Sequence, residues 1–155
     1  MGEGQQKMKT ILCLDLGTQA GWAYQNKEGT VFSGSHCFKG NRFEGGGMRY
    51  LRFSQFLSDF VARHPLSVVY FEEVRRHVST DSAHAYGGFL ATLTSFCEAN
   101  LIPYEGIPVG TIKKALTGKG NASKQEMINA IKELGYKPKD DNEADALAIL
   151  KLKSH

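Results

Sequence analysis

Three carboxylates stand where an apolar chain does not ordinarily put charge. Asp15 closes the run Ile11-Leu-Cys-Leu-Asp15-Leu-Gly-Thr18, Glu72 closes Ser67-Val-Val-Tyr-Phe-Glu72, and Asp145 lies within the helical string Asn142-Glu-Ala-Asp145-Ala-Leu-Ala148. An ionised carboxylate in a run that reads as buried strand must be paired or hold a metal. Each acid alone has a plainer reading. An Asp before a Gly-Thr turn can serve the turn backbone, and an Asp in the first turn of a helix meets a favourable dipole. The set is more informative. If the first and fourth strands are neighbours in the middle of a sheet, Asp15 and Glu72 stand side by side, and their repulsion calls for a divalent cation. Oxygen donors without a Cys/His set favour Mg²⁺ or Mn²⁺ over Zn²⁺.

Two such ions roughly 4 Å apart clamp the attacking and leaving oxygens of an in-line phosphodiester displacement. The substrate is then a polyanion, and cations should flank the acids. Arg75, Arg76 and His77 follow Glu72 directly, and Lys113, Lys114, Lys119 and Lys124 gather between the fifth strand and the following capped helix. Any one of these lysines reads equally well as part of a solvated face; their concentration beside the carboxylates points to phosphate binding.

The elements that must position these residues follow from periodicity. Gly21-Trp-Ala-Tyr-Gln25 and Thr30 to Phe38 alternate as strands around the turn Asn26-Lys-Glu-Gly29, which makes an antiparallel meander with the opening strand. Lys39 to Gly47 is a glycine-rich loop that follows neither a P-loop nor a dinucleotide-turn pattern. From Met48 the period becomes helical, with Phe53, Phe56, Leu57, Phe60 and Val61 on one face and Pro65 closing the segment. A second helix spans Ser79 to Asn100. Its stripe is Tyr86, Phe89, Leu90, Leu93, Phe96 and Cys97, and the small residues Ala83, Gly87 and Ala91 are expected against the sheet, with a subunit contact as the alternative. A strand near Pro103–Ile107 and a short helix from Val109, stopped by Gly118, come next. Ser123-Lys-Gln-Glu126 is a capping box that opens a helix ending at Gly135. The last helix runs from Asn142 to Leu152 with Ala144, Leu147, Ala148 and Leu152 inward; Asp141 and Asn142 share a face with Asp145 at its amino end.

Composition narrows the class. The 155 residues, 41% hydrophobic and 23% charged, suit one α/β domain over 9–155 behind a disordered tail of 1–8. No segment nears the roughly 20 apolar residues of a membrane span, so no membrane partner and a cytoplasmic location are expected. Cys13, Cys37 and Cys97 are too few and too far apart for a zinc site and read as reduced core residues. A net charge of +3 leaves the case for nucleic acid to the placement of the charges.

Taken together, Asp15 at the end of the first strand, Val69-Tyr-Phe-Glu72-Glu-Val at the fourth and Asn142-Glu-Ala-Asp145-Ala-Leu-Ala in the last helix resemble the RuvC-type Holliday junction resolvases of the ribonuclease H-like superfamily. The resemblance runs from about Lys9 to the carboxyl end and is similar to short phage-type members. It implies a ribonuclease H-like α/β fold: a five-stranded mixed sheet with helices on both faces. It also implies a homodimer on four-way DNA junctions and paired Mg²⁺-dependent nicks leaving 5′-phosphate and 3′-hydroxyl ends. By position, Asp15, Glu72 and Asp145 match family metal ligands, and Lys113 and Lys124 match lysines near the scissile phosphate. Two positions depart from the pattern. The family's fourth ligand, three residues before the last Asp, is here the neutral Asn142; Asp141, four residues from Asp145, is the preferred substitute, with Glu143 as another. An aromatic three residues after the catalytic Glu is here Arg75, which implies broader branched-DNA selectivity, including flaps and forks.

Three other readings share these residues. The Asp-Leu-Gly-Thr string also opens the actin-type sugar kinases and chaperone ATPases, whose second lobe and second phosphate loop do not fit in 155 residues. A non-catalytic branched-DNA binding module fits Asn142 but not the intact acidic trio. A nuclease for RNA or simple duplex is the third.

Overall fold

Continuous apolar runs in the centre and alternating ones at the side, bounded by turns, form the five strands of a single sheet. In the computed structural model, which describes residues 7–154, these are β1 (Ile11–Asp15), β2 (Gln19–Gln25), β3 (Val31–Cys37), β4 (Val68–Glu73) and β5 (Tyr104–Pro108). The helices are α1 (Met48–Arg63), α2 (Thr80–Ala99), α3 (Val109–Thr117), α4 (Lys124–Glu133) and α5 (Asp141–Lys153). Of the tail expected over 1–8, residues 1–6 lie outside the described residues; the Met8 N–H donates to the Lys27 carbonyl at 2.9 Å.

The sheet order is β3-β2-β1-β4-β5. The meander β1-β2-β3 is antiparallel, and β4 and β5 join in parallel on the other side of β1. This is the mixed five-stranded sheet expected, with β1 and β4 adjacent at its centre. Alternation along β1 then divides the core. Ile11 and Cys13 face a layer built from α3, α4 and α5, and Leu12 and Leu14 face α1 and α2. Helices therefore cover both faces.

Ordinary end signals set the helix limits. Ser123 and Glu126 close the expected capping box on α4, and Ser79 with Ser82 makes a second one on α2. Gly118 stops α3 in the left-handed conformation at φ 83°. Among the described residues no helix is long and apolar enough to cross a membrane.

Four local expectations need correction. The stripe Ala83-Gly87-Ala91 does not pack on the sheet: a Cβ on Gly87 would meet nothing within 4 Å. At 100° per residue this stripe lies roughly 120° round α2 from the buried Phe89, Leu93 and Cys97. The close approach between helices falls one residue later, at Gly88, where a Cβ would lie 2.4 Å from the Tyr50 ring of α1. Cys37 is exposed on edge strand β3, whereas Cys13 and Cys97 are buried; all three are free thiols. The last helix starts one residue early, because Asp140 caps it by accepting the Glu143 N–H at 2.9 Å. Asp141 and Glu143 thus occupy the first turn, and Asp145 lies in the second, beyond the strongest dipole effect. Finally, α5 is buried nearly all round, from Glu143 through Leu150 apart from Asp145, because it lies between the sheet and helices α3 and α4.

Candidate active site

Strand parity brings the acids together. Asp15 follows Ile11 and Cys13 at the same two-residue spacing, and Glu72 follows Val68 and Tyr70; these residues line the face that carries α5. The parallel ladder pairs Leu14 with Phe71, so Asp15 and Glu72 emerge next to each other at the carboxyl ends of neighbouring strands. The helix α5 supplies the third acid across that face. One carboxylate oxygen from each of Asp15, Glu72 and Asp145 lies within 4.8 Å of the other two, and all three side chains are partly buried.

The depth of α5 in the fold is set by backbone contact. A Cβ on Gly21 of β2 would lie 1.8 Å from the Asn142 carbonyl oxygen, so only glycine lets the start of α5 rest on the strand. The buried Glu143 fixes the same end. It accepts from the Ser33 hydroxyl at 2.7 Å and from the Lys139 N–H at 2.7 Å. On the other side, the Tyr86 hydroxyl of α2 donates to the Glu72 carbonyl at 2.8 Å and accepts the Val74 N–H at 3.2 Å, which pins the end of β4.

Such crowding is reflected in the protonation of the acids. Burial pushes Asp15 well above the ordinary carboxylate range, and Glu72, Asp145, Asp141 and Asp140 add to the effect. Burial also raises Glu72, against a lowering contribution from Lys113. Asp145 is pushed up to about 7, first by burial and then by Glu72 and Asp141, with Lys113 and Lys124 opposing. Three partly buried acids that repel one another form a hard-oxygen donor set of the kind a divalent cation would suit. The donors present thus fit Mg²⁺ or Mn²⁺.

The remaining candidates divide. Lys113 and Lys124 lie close enough to Asp145 to oppose the rise in its pKa. Asp141 acts on both Asp15 and Asp145 but stands outside the group of three, with its carboxylate 3.4 Å from the Lys124 ammonium. Asn142 is partly buried beside it. Glu143, the other substitute considered for the fourth ligand, is engaged with Ser33 and Lys139. Arg75 is largely exposed and ion-paired with Glu73 at 2.7 Å, Arg76 is exposed, and His77 lies against the Tyr86 ring at 5.2 Å. Lys114 is exposed on α3, and Lys119 pairs with Glu126 at 2.8 Å.

No family model and no curated protein matches the sequence. Solved structures do. The chain is similar to Thermus thermophilus RuvC in complex with a Holliday junction substrate, with a TM-score of 0.76 and 22% identity over 91% of this chain and 90% of that one. A second structure of Thermus thermophilus RuvC gives 0.72 and 23% identity over 90% of each chain. The chain has the RuvC fold. A yeast mitochondrial Holliday junction resolvase is more distant, with a TM-score of 0.59 and 14% identity over 92% of this chain and 76% of that one. Within this fold, Asp15 and Glu72 occupy the carboxyl ends of the two central parallel strands, where ligands of open α/β sheets characteristically bind, and Asp145 meets them from α5.

Spacing had not revealed three supporting residues. Tyr86 reads as one more member of an apolar stripe, although a hydroxyl among Phe and Leu signals a buried partner. Glu143 and Ser33 meet across 110 residues of sequence. Beside the turn after β1, a hollow of about 300 Å³ is lined by Thr18, Lys39, Gly40, Asn41, Glu44 and Arg49; the Arg49 guanidinium donates to the Thr18 hydroxyl at 3.2 Å. Only the pairing of β2 with β3 brings that loop to the turn.

Proposed function

We propose that this protein is a metal-dependent endodeoxyribonuclease that resolves four-way DNA junctions by paired nicks, leaving 5′-phosphate and 3′-hydroxyl ends. The observation that carries this reading is the convergence of Asp15, Glu72 and Asp145 within 4.8 Å at the carboxyl ends of β1 and β4, on a RuvC fold. Asp15, Glu72 and Asp145, with Asp141 as the fourth acid, would hold a pair of Mg²⁺ ions, for which Mn²⁺ can substitute. Bound there, such ions supply an activated water and charge neutralisation at the leaving oxygen.

The chain's own residues do the rest. Lys113 and Lys124 border the acids and hold the scissile phosphate against the cleft by direct charge. Lys114, Lys119, Arg75, Arg76 and His77 extend this basic surface along the DNA backbone. Tyr86 and Glu143 hold β4 and α5 so that the carboxylates stay in place when the substrate arrives. Two symmetric cuts require two sites, so the acting species is a homodimer on its junction, in the cytoplasm.

A broader activity on flaps and forks is the second reading, and Arg75 favours it. The position three residues after Glu72 carries no ring, and the guanidinium that stands there is tied to Glu73.

Labelled four-way junction, flap, fork, duplex and RNA–DNA hybrid, each with Mg²⁺ or with chelator, test the proposal beside Asp15→Asn. Symmetric nicking of the junction that requires metal is expected. In Asp15→Asn, cutting should fall by a factor on the order of 10³ while junction binding persists. Binding without cutting under both Mg²⁺ and Mn²⁺ would instead identify a non-catalytic branched-DNA module, and equal cutting of every substrate would sink junction selectivity.

A further inference from the structure

The loop between β3 and α1 lies at the same end of the sheet as the acids. Phe38 at its root is buried, and its N–H donates to the Thr18 carbonyl at 2.8 Å, three residues after Asp15. The turn that follows is braced. Asn41 Oδ1 accepts the Phe43 N–H at 2.8 Å, the Asn41 N–H donates to Glu44 Oε1 at 2.8 Å, and the Glu44 carboxylate is ion-paired with Arg52 of α1. What this brace displays is a bare phenyl ring. Phe43 is 84% exposed, with the Arg42 guanidinium carbon 4.9 Å from its ring centroid.

Three observations favour DNA over protein as the occupant of this ring. Phe43 belongs to neither core cluster, and its one ring contact among the described residues is with a cation, Arg42. The loop and the start of α1 carry Lys39, Arg42 and Arg49 against one acid, Glu44, whose charge is met by Arg52, and this excess of cations complements a polyanion. The loop's root is also hydrogen-bonded to the turn that follows Asp15, so a strand lying in the cleft passes close by. An exposed aromatic with cations around it stacks on a base while the cations take the adjoining phosphates. Stacking needs a base released from its pair, and the pairs at a branch point, which lack a continuous stacked neighbour, open at the lowest cost.

We infer that Phe43, with Arg42 stacked upon it, is a base-stacking element for an unpaired nucleotide at the branch point, and that Lys39, Arg49 and Thr18 form a phosphate subsite beside it. This rests on the proposed junction-resolving function and assigns the aromatic contact to the loop before α1, on the opposite side of the central strands from Arg75. Only non-covalent binding is involved.

Binding can be followed by fluorescence anisotropy in chelator, using a junction with 2-aminopurine at the branch, perfect duplex as control, and the variants Phe43→Ala and Phe43→Trp. Phe43→Ala should weaken junction binding by about 5- to 100-fold and abolish the 2-aminopurine response. Duplex binding should stay unchanged, and Phe43→Trp should restore both junction signals. A wild-type protein that binds the junction and Phe43→Ala that binds it equally well, with the same 2-aminopurine response, overturns the inference and leaves the nuclease reading intact. A wild-type protein that binds no branched DNA overturns both. If Phe43→Ala alters the mass in light scattering but not DNA binding, the ring is a protein contact and the inference fails.

Discussion

The acidic cleft and the basic surface around it are held by different kinds of structure. Each acid of the trio is partly buried, carried by a central strand or by the buried helix α5, and lies within 4.8 Å of the other two. Most of the cations are exposed, and several are already paired: Arg75 with Glu73, Lys119 with Glu126, Lys124 with Asp141. The first region is unstable in charge but fixed in position. The second is partly paired and mostly exposed. A site of this design keeps its reacting geometry rigid and leaves long-range attraction to exposed side chains, so loss of one acid should abolish cutting and loss of one cation should only grade it.

The largest contrast should appear in the metal-free protein as a function of pH. Asp145 sits at about 7, and Asp15 and Glu72 are also raised. A folded-state value above the unfolded one means that the stability is fully present below the ordinary carboxylate range. It is lost as pH rises through the folded value, here from about 4 through about 7. Metal-free wild-type protein should therefore melt lower at pH 8 than at pH 5, and Mg²⁺ should reverse the loss. Asp145→Asn removes one repelled charge. At pH 8 without metal it should be more stable than wild type by roughly 1–4 kcal/mol, at about 2–4 °C of Tm per kcal/mol. It should gain nothing from Mg²⁺ and cut no junction. A metal-free Asp145→Asn that melts below wild type at pH 8 would show that the trio is not strained by its charges.

Much of the cleft was readable from spacing because two short-range rules fix it. Strand parity decides which face Asp15 and Glu72 share, and helical period decides what lies beside Asp145. The capping box at Ser123 and the glycine stop at Gly118 are equally local, and both hold. What spacing did not give is non-local. The start of α5 depends on Asp140 turning back onto Glu143, and its burial all round depends on α3 and α4. The small stripe of α2 pointed to a close approach, but the residue that makes it is Gly88, because the crossing of α1 decides which turn is crowded. Cys37 was expected in the core, yet β3 is an edge strand, and sheet order cannot be read from a single strand.

A middle-sized effect should come from where the two regions touch. Asp141 faces the acids electrostatically and Lys124 by contact, so it belongs to both. If it completes the metal set, Asp141→Asn should reduce cutting by about 10- to 100-fold and raise the Mg²⁺ concentration needed for half-maximal rate. Asn142→Ala should change little, since the contact that seats α5 uses the Asn142 backbone carbonyl rather than its side chain. Titrations of cutting rate against Mg²⁺ for the two variants decide the point, and the reverse result would make Asn142 the fourth ligand.

The smallest effects should separate cations that border the acids from cations that only border solvent. Lys113 and Lys114 are adjacent on α3, but Lys113 lowers both Glu72 and Asp145 while Lys114 is exposed in the last turn. If its charge acts at the phosphate being cut, Lys113→Ala should slow cutting by roughly tenfold at saturating DNA. Lys114→Ala should leave that rate unchanged, weaken binding slightly, and reduce the slope of log affinity against log salt by about one. Single-turnover rates and salt-dependent binding measured on the same pair of variants provide the comparison. If both variants behaved like Lys114→Ala, the lysines of α3 would all belong to the exposed basic surface, and Lys124 alone would remain as the cation bordering the cleft.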